Sequence, residues 1–442
     1  MDIRIHLQQA VEHHRRGEFD EAELGYRRYL TMRPGELEVV GLLGVLLGQR
    51  GDLENGERML REVLVERPKD PSVWNNLGTV LRAGARMEEA RAAFQRSLEL
   101  EPENAETLAN LAMTAVDLGM PADGSEGFTK ATQLRRRPPS FVLHPLPADP
   151  VPLHKLRHHA EQFAWLRANR RLDKRFEPAV TALDAIVAAH TGRPGSDAIT
   201  LDAQLRRTLA SVWDRLVHLE PAPALSGGAI SESLDWAAIE AAYLARGPGM
   251  ATFDGFLRPA ALASLRNYCM ASTFWYQTYG DGYLGAMMRE GFGCPLLMQI
   301  AEELRLAMPR VFGDHTLREW WAFKYDSQMS GIRVHADHAA VNVNFWITPD
   351  DALLDPDSGG LTVWDQEAPL DWDFRHYNAD EAAIYEFIES SGAEAWSVPY
   401  RQNRVVMFNS DLFHRTGEIR FAPGYDNRRI NVTLLYGDRR EG

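Results

Sequence analysis

Residues 69–102 read KDPSVWNNLGTVLRAGARMEEARAAFQRSLELEP, and the chain around them repeats this stretch with a 34-residue period. Pro34, Pro68 and Pro102 are in phase, as are Ala22, Gly56 and Ala90, and Phe19, Leu53 and Met87. Within the quoted unit Trp74, Leu77, Gly78, Leu81, Ala90 and Phe94 predict two antiparallel helices that meet across alternating large and small side chains. Small residues at 78 and 90 let the helices approach closely. The proline after each second helix stops it, because its ring removes a donor and clashes with the preceding turn. The phase continues through Leu108, Leu111, Ala112, Gly124, Phe128 and Ala131, with Arg136 where the proline should stand, so the fourth unit is degenerate. A helical solenoid over 3–137 is therefore expected, closed by the proline-rich stretch RRRPPSFVLHPLPADPVP at 135–152.

Outside this stretch, length and composition bound the rest. A chain of 442 residues with 45% hydrophobic and 25% charged residues has apolar surface for several cores, which excludes wholesale disorder. The formal net charge of −14 would repel a phosphate backbone, so no nucleic-acid partner is expected. No apolar run approaches the ~18 residues that a membrane span requires, and MDIRIHLQQAVEHHRRGE lacks a secretory core. The expectation is a soluble, cytoplasmic protein without a membrane partner. Two cysteines, Cys269 and Cys294, are too few for a disulfide framework or a thiolate cage. A metal site would have to use histidines and carboxylates.

The 34-residue period and its Trp74, Leu77, Gly78, Ala90, Phe94, Pro102 pattern resemble tetratricopeptide repeats. Stacked helix pairs of that kind make a concave surface that binds an extended peptide or another protein; dimerisation or a rigid spacer role is the alternative. Residues 138–245 form a predicted helical linker region. In it 154–171, 176–190 and 201–219 read as amphipathic helices, followed by a loop at 221–233. His154, His158 and His159 include a pair four residues apart, but no third ligand accompanies them, and they read as solvated or capping side chains.

From residue 246 onward the pattern changes to short β-branched and aromatic runs, which suggests a jelly roll or barrel and makes the chain a multidomain α + β protein. Strands are expected at 320–325, 332–337, 341–347, 361–364, 404–408 and 430–436. On the second of these His335 and Asp337 are two residues apart and share a face, and His414 follows the run RVVMFNSDLF. Two imidazoles and a carboxylate on one side of a metal form the facial triad that suits Fe(II). The same residues could serve structure alone, with Asp337 paired to Arg333 and His414 bonded to a backbone carbonyl. His338 and His376 are conceivable alternative ligands. On the last strand Arg429, Asn431 and Thr433 share a face and could grip a carboxylate, and Arg428 would point the other way.

The order of these features resembles the iron(II) and 2-oxoglutarate-dependent dioxygenases of the prolyl 4-hydroxylase-like branch, over about 250–438. FDGFLRP at 253–259 resembles their opening strand and helix entry, His335-Ala-Asp337 their metal motif, Ser358-Gly359-Gly360-Leu361 their Gly-Gly turn, and Asn427-Arg428-Arg429 through Tyr436 their closing strand. The resemblance implies a double-stranded β-helix (jelly roll) over 246–442. It implies Fe(II) held by His335, Asp337 and His414, which would be the catalytic residues through the metal. It further implies 2-oxoglutarate bound by Arg429 (alternatively Arg428) with Tyr325, Asn431 and Thr433, dioxygen as oxidant, and ascorbate as an optional addition. The fifteen residues between His414 and Arg429 exceed the usual separation in this branch, and 368–400 is a long insert of a type that often forms lids or substrate walls. The implied activity is hydroxylation of an unactivated C–H bond, on a protein or peptide side chain recruited by the repeats. The alternatives are a small-molecule or carrier-bound amino acid hydroxylase, and a non-catalytic adaptor. No substrate-binding residue is readable.

Overall fold

The computed structural model describes residues 3–138, 146, 149–280 and 282–439. Two compact units divide the chain, 1–134 and 135–442, and the helical region expected at 138–245 falls in the second. Much of the proline-rich boundary, 139–145 with 147 and 148, lies outside the described residues.

The first unit consists of helix pairs: α1 (Ile3–Arg15) with α2 (Phe19–Met32), α3 (Leu37–Gln49) with α4 (Leu53–Glu66), α5 (Pro71–Ala83) with α6 (Met87–Leu100), and α7 (Ala105–Asp117) with α8 (Pro121–Arg136). Helices α2, α4 and α6 each end two residues before Pro34, Pro68 and Pro102, while α8, with Arg136 in the proline's place, runs 16 residues instead of 14. Asp70 and Asn104 cap α5 and α7 by accepting hydrogen bonds from the backbone N–H groups two and three residues on. A Cβ at Gly78 would come 2.6 Å from the Phe94 ring, itself fully buried, so the α5–α6 contact depends on glycine there.

In the second unit α9 (Leu153–Ala168) and α10 (Glu177–Ala189) match their expected positions, but α11 (Ala203–Leu209) stops ten residues early. The missing turns are replaced by other bonds: the N–H groups of Val217 and His218 donate to Thr273 Oγ1. The α9 histidines are buried, not solvated as expected. His158 and His159 are buried with Nδ1 atoms 3.2 Å apart, packed against Trp275, Tyr425 and Trp213, and His154 Nδ1 bonds Gly195 O.

Burial, reinforced by the cations of Lys324 and Arg428 at His158 and of Lys155 at His159, holds both rings well below the usual histidine range. Neutral rings in the folded state face protonatable ones in the unfolded chain. Their contribution is therefore full above about pH 6.5 and is lost as pH falls, with a slope of about 1.4 kcal/mol per pH unit for each histidine. Urea midpoints of the second unit should decline below that pH, and His158→Phe with His159→Leu should flatten the decline. An unchanged profile would show that neither ring carries the linkage.

Two large antiparallel sheets follow. The strands are β1 (Met250–Asp254), β2 (Gln277–Tyr279), β3 (Tyr283–Met287), β4 (Leu317–Tyr325), β5 (Ile332–His335), β6 (Val341–Trp346), β7 (Leu361–Glu367), β8 (Ala395–Val398), β9 (Arg404–Asn409), β10 (Leu412–Thr416) and β11 (Ile430–Tyr436). The seven-stranded sheet has the order β1-β9-β6-β11-β4-β3-β2 and the four-stranded sheet the order β8-β7-β10-β5. Tyr325, Trp346 and Phe408 of the large sheet and Val363, Val398 and Leu412 of the small one share a single apolar core.

Helices α12 (Trp236–Ala245), α13 (Pro259–Ala271) and α14 (Pro295–Ala307) accompany the large sheet. On the side away from that core Lys324 donates to Cys269 O of α13, and Tyr436 to Ala301 O of α14. Both cysteines are free and buried. The insert at 368–400 has two parts: two helices, and a strand and turn that bring Tyr400 to the core between the sheets. Its helices, Phe374–Ala379 and Glu381–Ser391, pack on Val334, Trp364 and Phe413, the outward face of the small sheet. Among the described residues no helix is long and apolar enough to cross a membrane.

Candidate functional site

Strands β5 and β10 pair so that His335 stands directly opposite His414, with ring centroids 4.3 Å apart. Alternation turns Val334 and Phe413 outward under the insert helices and both histidines inward. Asp337 is not on the strand as expected, since β5 ends at His335. The backbone N–H of Ala336 turns to Tyr377 O and that of Asp337 to Ser410 O, and the bend still delivers the carboxylate to the histidines. Asp337 Oδ1 is 3.8 Å from His335 Nε2, and Oδ2 is 3.5 Å from His414 Nε2. One ligand atom from each residue lies within 4.8 Å of the others, and this is the only such cluster among the described residues.

Each imidazole is oriented from behind. His335 Nδ1 is 2.8 Å from Arg333 O and His414 Nδ1 is 3.1 Å from Leu412 O, so each Nδ1–H donates to a carbonyl and each Nε2 lone pair faces the centre. His414 does bond a backbone carbonyl, and doing so frees its other nitrogen for a ligand. Arg333 is exposed and lies nearest Glu381, not Asp337. Burial, with His414 beside it, lowers His335. For Asp337 burial pulls upward but is outweighed by His414, His335 and the Asn342 amide, which hold the carboxyl below its usual value. A divalent metal needs neutral imidazole and ionised carboxylate ligands, and the lowered His335 and Asp337 both lean that way. His338 and His376 stay outside the cluster: the first bonds Tyr377 Oη and the second Asp373.

The arginine pair separates cleanly. Arg428 is buried toward α9, where its Nε donates to Glu161 at 2.6 Å and Nη1 lies 3.4 Å from Asp326. It is committed to ion pairs within the protein. Arg429 turns to the core between the sheets, with Nε donating to Gly359 O at 2.8 Å and its guanidinium carbon 4.5 Å from the Tyr325 ring centroid, 5.4 Å from Trp346 and 5.8 Å from Tyr400. Its Nη1 is buried with no hydrogen-bond partner among the described residues. A buried guanidinium with a spare donor is costly unless an acceptor arrives.

Asn431 and Thr433 are not placed to grip a ligand carboxylate as expected. Asn431 Nδ2 donates to Asn344 Oδ1 at 2.9 Å and to Thr433 Oγ1 at 3.0 Å, and Thr433 Oγ1 donates to Asn344 Oδ1 at 2.8 Å. The residues that sequence reasoning missed are Trp346 and Tyr400 around Arg429, and Gly359 as acceptor for its Nε. Trp346 carried a signal in the two-residue period that it shares with Asn342 and Asn344, and Gly359 in the Gly-Gly turn, whereas Tyr400 carried none.

Gly331 leads into β5 with φ +98°, and a Cβ there would come 2.2 Å from Thr416 O. Gly331→Ala should cost roughly 2 kcal/mol or more and displace His335 from His414. A thermal melt within a degree of the parent would refute this.

The tetratricopeptide repeat family model matches residues 42–105. No curated protein matches the chain. Among solved structures, MamA (41-end) from Desulfovibrio magneticus RS-1 is 21% identical over 30% of this chain and 76% of its own, with a TM-score of 0.28. MamA from AMB-1 is 23% identical over 30% and 79%, with a TM-score of 0.27. The N-terminal helices are tetratricopeptide repeats.

Proposed function

We propose that the second unit is an Fe(II) and 2-oxoglutarate-dependent dioxygenase that hydroxylates an unactivated C–H bond, and that its two facing antiparallel sheets are the double-stranded β-helix of that family. The observation that carries this reading is the convergence of His335, Asp337 and His414, with both Nε2 atoms turned to one point. The donor set fits the metal: neutral imidazole and carboxylate suit Fe(II), and neither thiol is near. The orphaned Nη1 of Arg429 fits a co-substrate carboxylate, which a guanidinium can hold by two parallel hydrogen bonds.

When bound, the metal with 2-oxoglutarate and dioxygen supplies C–H hydroxylation, the co-substrate leaving as succinate and carbon dioxide. Each residue has a bounded part. Arg333 O and Leu412 O hold the imidazole protons at Nδ1, Arg429 orients the co-substrate, and Tyr325, Trp346 and Tyr400 keep water from its guanidinium. Half-buried Trp321 and Phe323 lie on the same face of β4 as Tyr325 and would line the approach of the substrate.

Tetratricopeptide repeats mediate protein–protein interaction, and we infer that the first unit recruits a protein or peptide whose side chain is the substrate. A non-catalytic adaptor is the second reading, favoured by a family match confined to 42–105. Anaerobic titration of the apoprotein with Fe(II) and 2-oxoglutarate separates the two. The dioxygenase reading expects a weak visible charge-transfer band; a folded protein without one would leave the adaptor.

A further inference from the structure

Two asparagines on a central, fully buried strand need a physical reason, because Asn is depleted in strands and a buried amide is costly unless every bond is made. On β6 both amides face the site and belong to a chain of hydrogen bonds. Asn342 Nδ2 donates to Asp337 Oδ2 at 2.7 Å, and Asn344 Nδ2 donates to Asn342 Oδ1 at 2.5 Å. Asn344 Oδ1 accepts from both Asn431 and Thr433 on β11.

The direction of this chain is dictated at one end. An ionised carboxylate can only accept, so Asn342 must present its NH2 group to Asp337 and its oxygen the other way. Asn344 must then present its NH2 group to Asn342, and its own oxygen needs donors, which β11 supplies. No amide can flip without setting oxygen against oxygen.

We propose that Asn342 is a positioning residue for the metal centre, locking the rotation of the Asp337 carboxylate through a relay that begins on the strand following Arg429. The inference rests on the dioxygenase reading, since it takes Asp337 as a metal ligand. The relay pre-orients an anion that would otherwise rotate freely at the end of β5, and partners of this kind behind a ligand are worth about 10- to 100-fold in metal affinity.

The test is titration of the full-length apoprotein with Co(II), reading both the dissociation constant and the visible d–d spectrum. Asn342→Leu, similar in volume but without a donor, should weaken binding by about 10- to 100-fold and shift the spectrum. Asn344→Asp touches no ligand, yet it sets a carboxylate against Asn342 Oδ1, so it should turn that amide over and weaken binding in the same direction. Should Asn342→Leu fail to fold, Asn344→Asp decides alone. Parental affinity and spectrum in the folded variants would overturn the proposal even if their melting temperatures fell, because a purely structural role predicts that pattern. Metal binding by the parent with no change in the variants sinks this inference only, and no binding by the parent sinks the dioxygenase reading with it.

Discussion

Asp337→Ala should lower Fe(II) affinity by at least about 100-fold while both units remain folded. Asp337 is the one anion in the cluster, so without it a divalent cation faces two neutral imidazoles and no charge compensation. The variant also leaves the Asn342 NH2 group without its acceptor, at a cost of about 1–3 kcal/mol, which should register as a modest drop in the melting temperature of the second unit. His335→Ala should lose the metal to a similar extent without that drop, since its ring bonds only Arg333 O behind it. Equilibrium dialysis under anaerobic conditions, with circular dichroism to establish folding, measures both. Full iron stoichiometry in the two variants would defeat the assignment of the cluster as a metal site.

Arg429→Ala should raise the 2-oxoglutarate dissociation constant by about 100- to 1,000-fold, equivalent to roughly 3–4 kcal/mol, and leave metal uptake intact. The guanidinium is sealed among Tyr325, Trp346 and Tyr400 with its Nε already given to Gly359, so the unpartnered Nη1 is aimed rather than mobile. Arg429→Lys should recover little of the loss, because a point charge on a shorter stem cannot hold Gly359 and a planar carboxylate together. Isothermal titration of the metal-loaded, oxygen-free protein reads the affinity directly. Arg428→Met is the control: it breaks the ion pairs to Glu161 and Asp326 and should reduce stability without touching co-substrate affinity. The reverse pattern, affinity lost at 428 and kept at 429, would move the co-substrate to the other arginine.

The parts of this protein legible in its sequence share a short physical range. The 34-residue period was readable because each repeat satisfies its own backbone and buries its face on its neighbour, and Pro34, Pro68 and Pro102 mark the helix ends by local sterics. The opposite facing of Arg428 and Arg429 followed in the same way from strand alternation. Other readings failed where a distant partner intervened. The 201–219 segment has helical periodicity, but Thr273 captures the N–H groups of Val217 and His218 and the helix stops at Leu209. Asn431 and Thr433 have the right face for a ligand, but Asn344 takes their donors.

Local pattern by itself determined the helical repeats and the β-rich C-terminal region, and together with the family resemblance it singled out 335, 337, 414 and 429 as candidates. Tertiary structure alone decided that β5 and β10 lie side by side with His335 opposite His414, that the insert helices buttress the small sheet, and that Arg429 keeps a buried Nη1 without a partner while Arg428 is paired with Glu161 and Asp326. The difference is one of distance along the chain. Period, caps and alternation are written within a few residues, whereas the register between 335 and 414 and the cage around Arg429 depend on which strands pair and which faces meet, and that is settled only when the whole core packs at once.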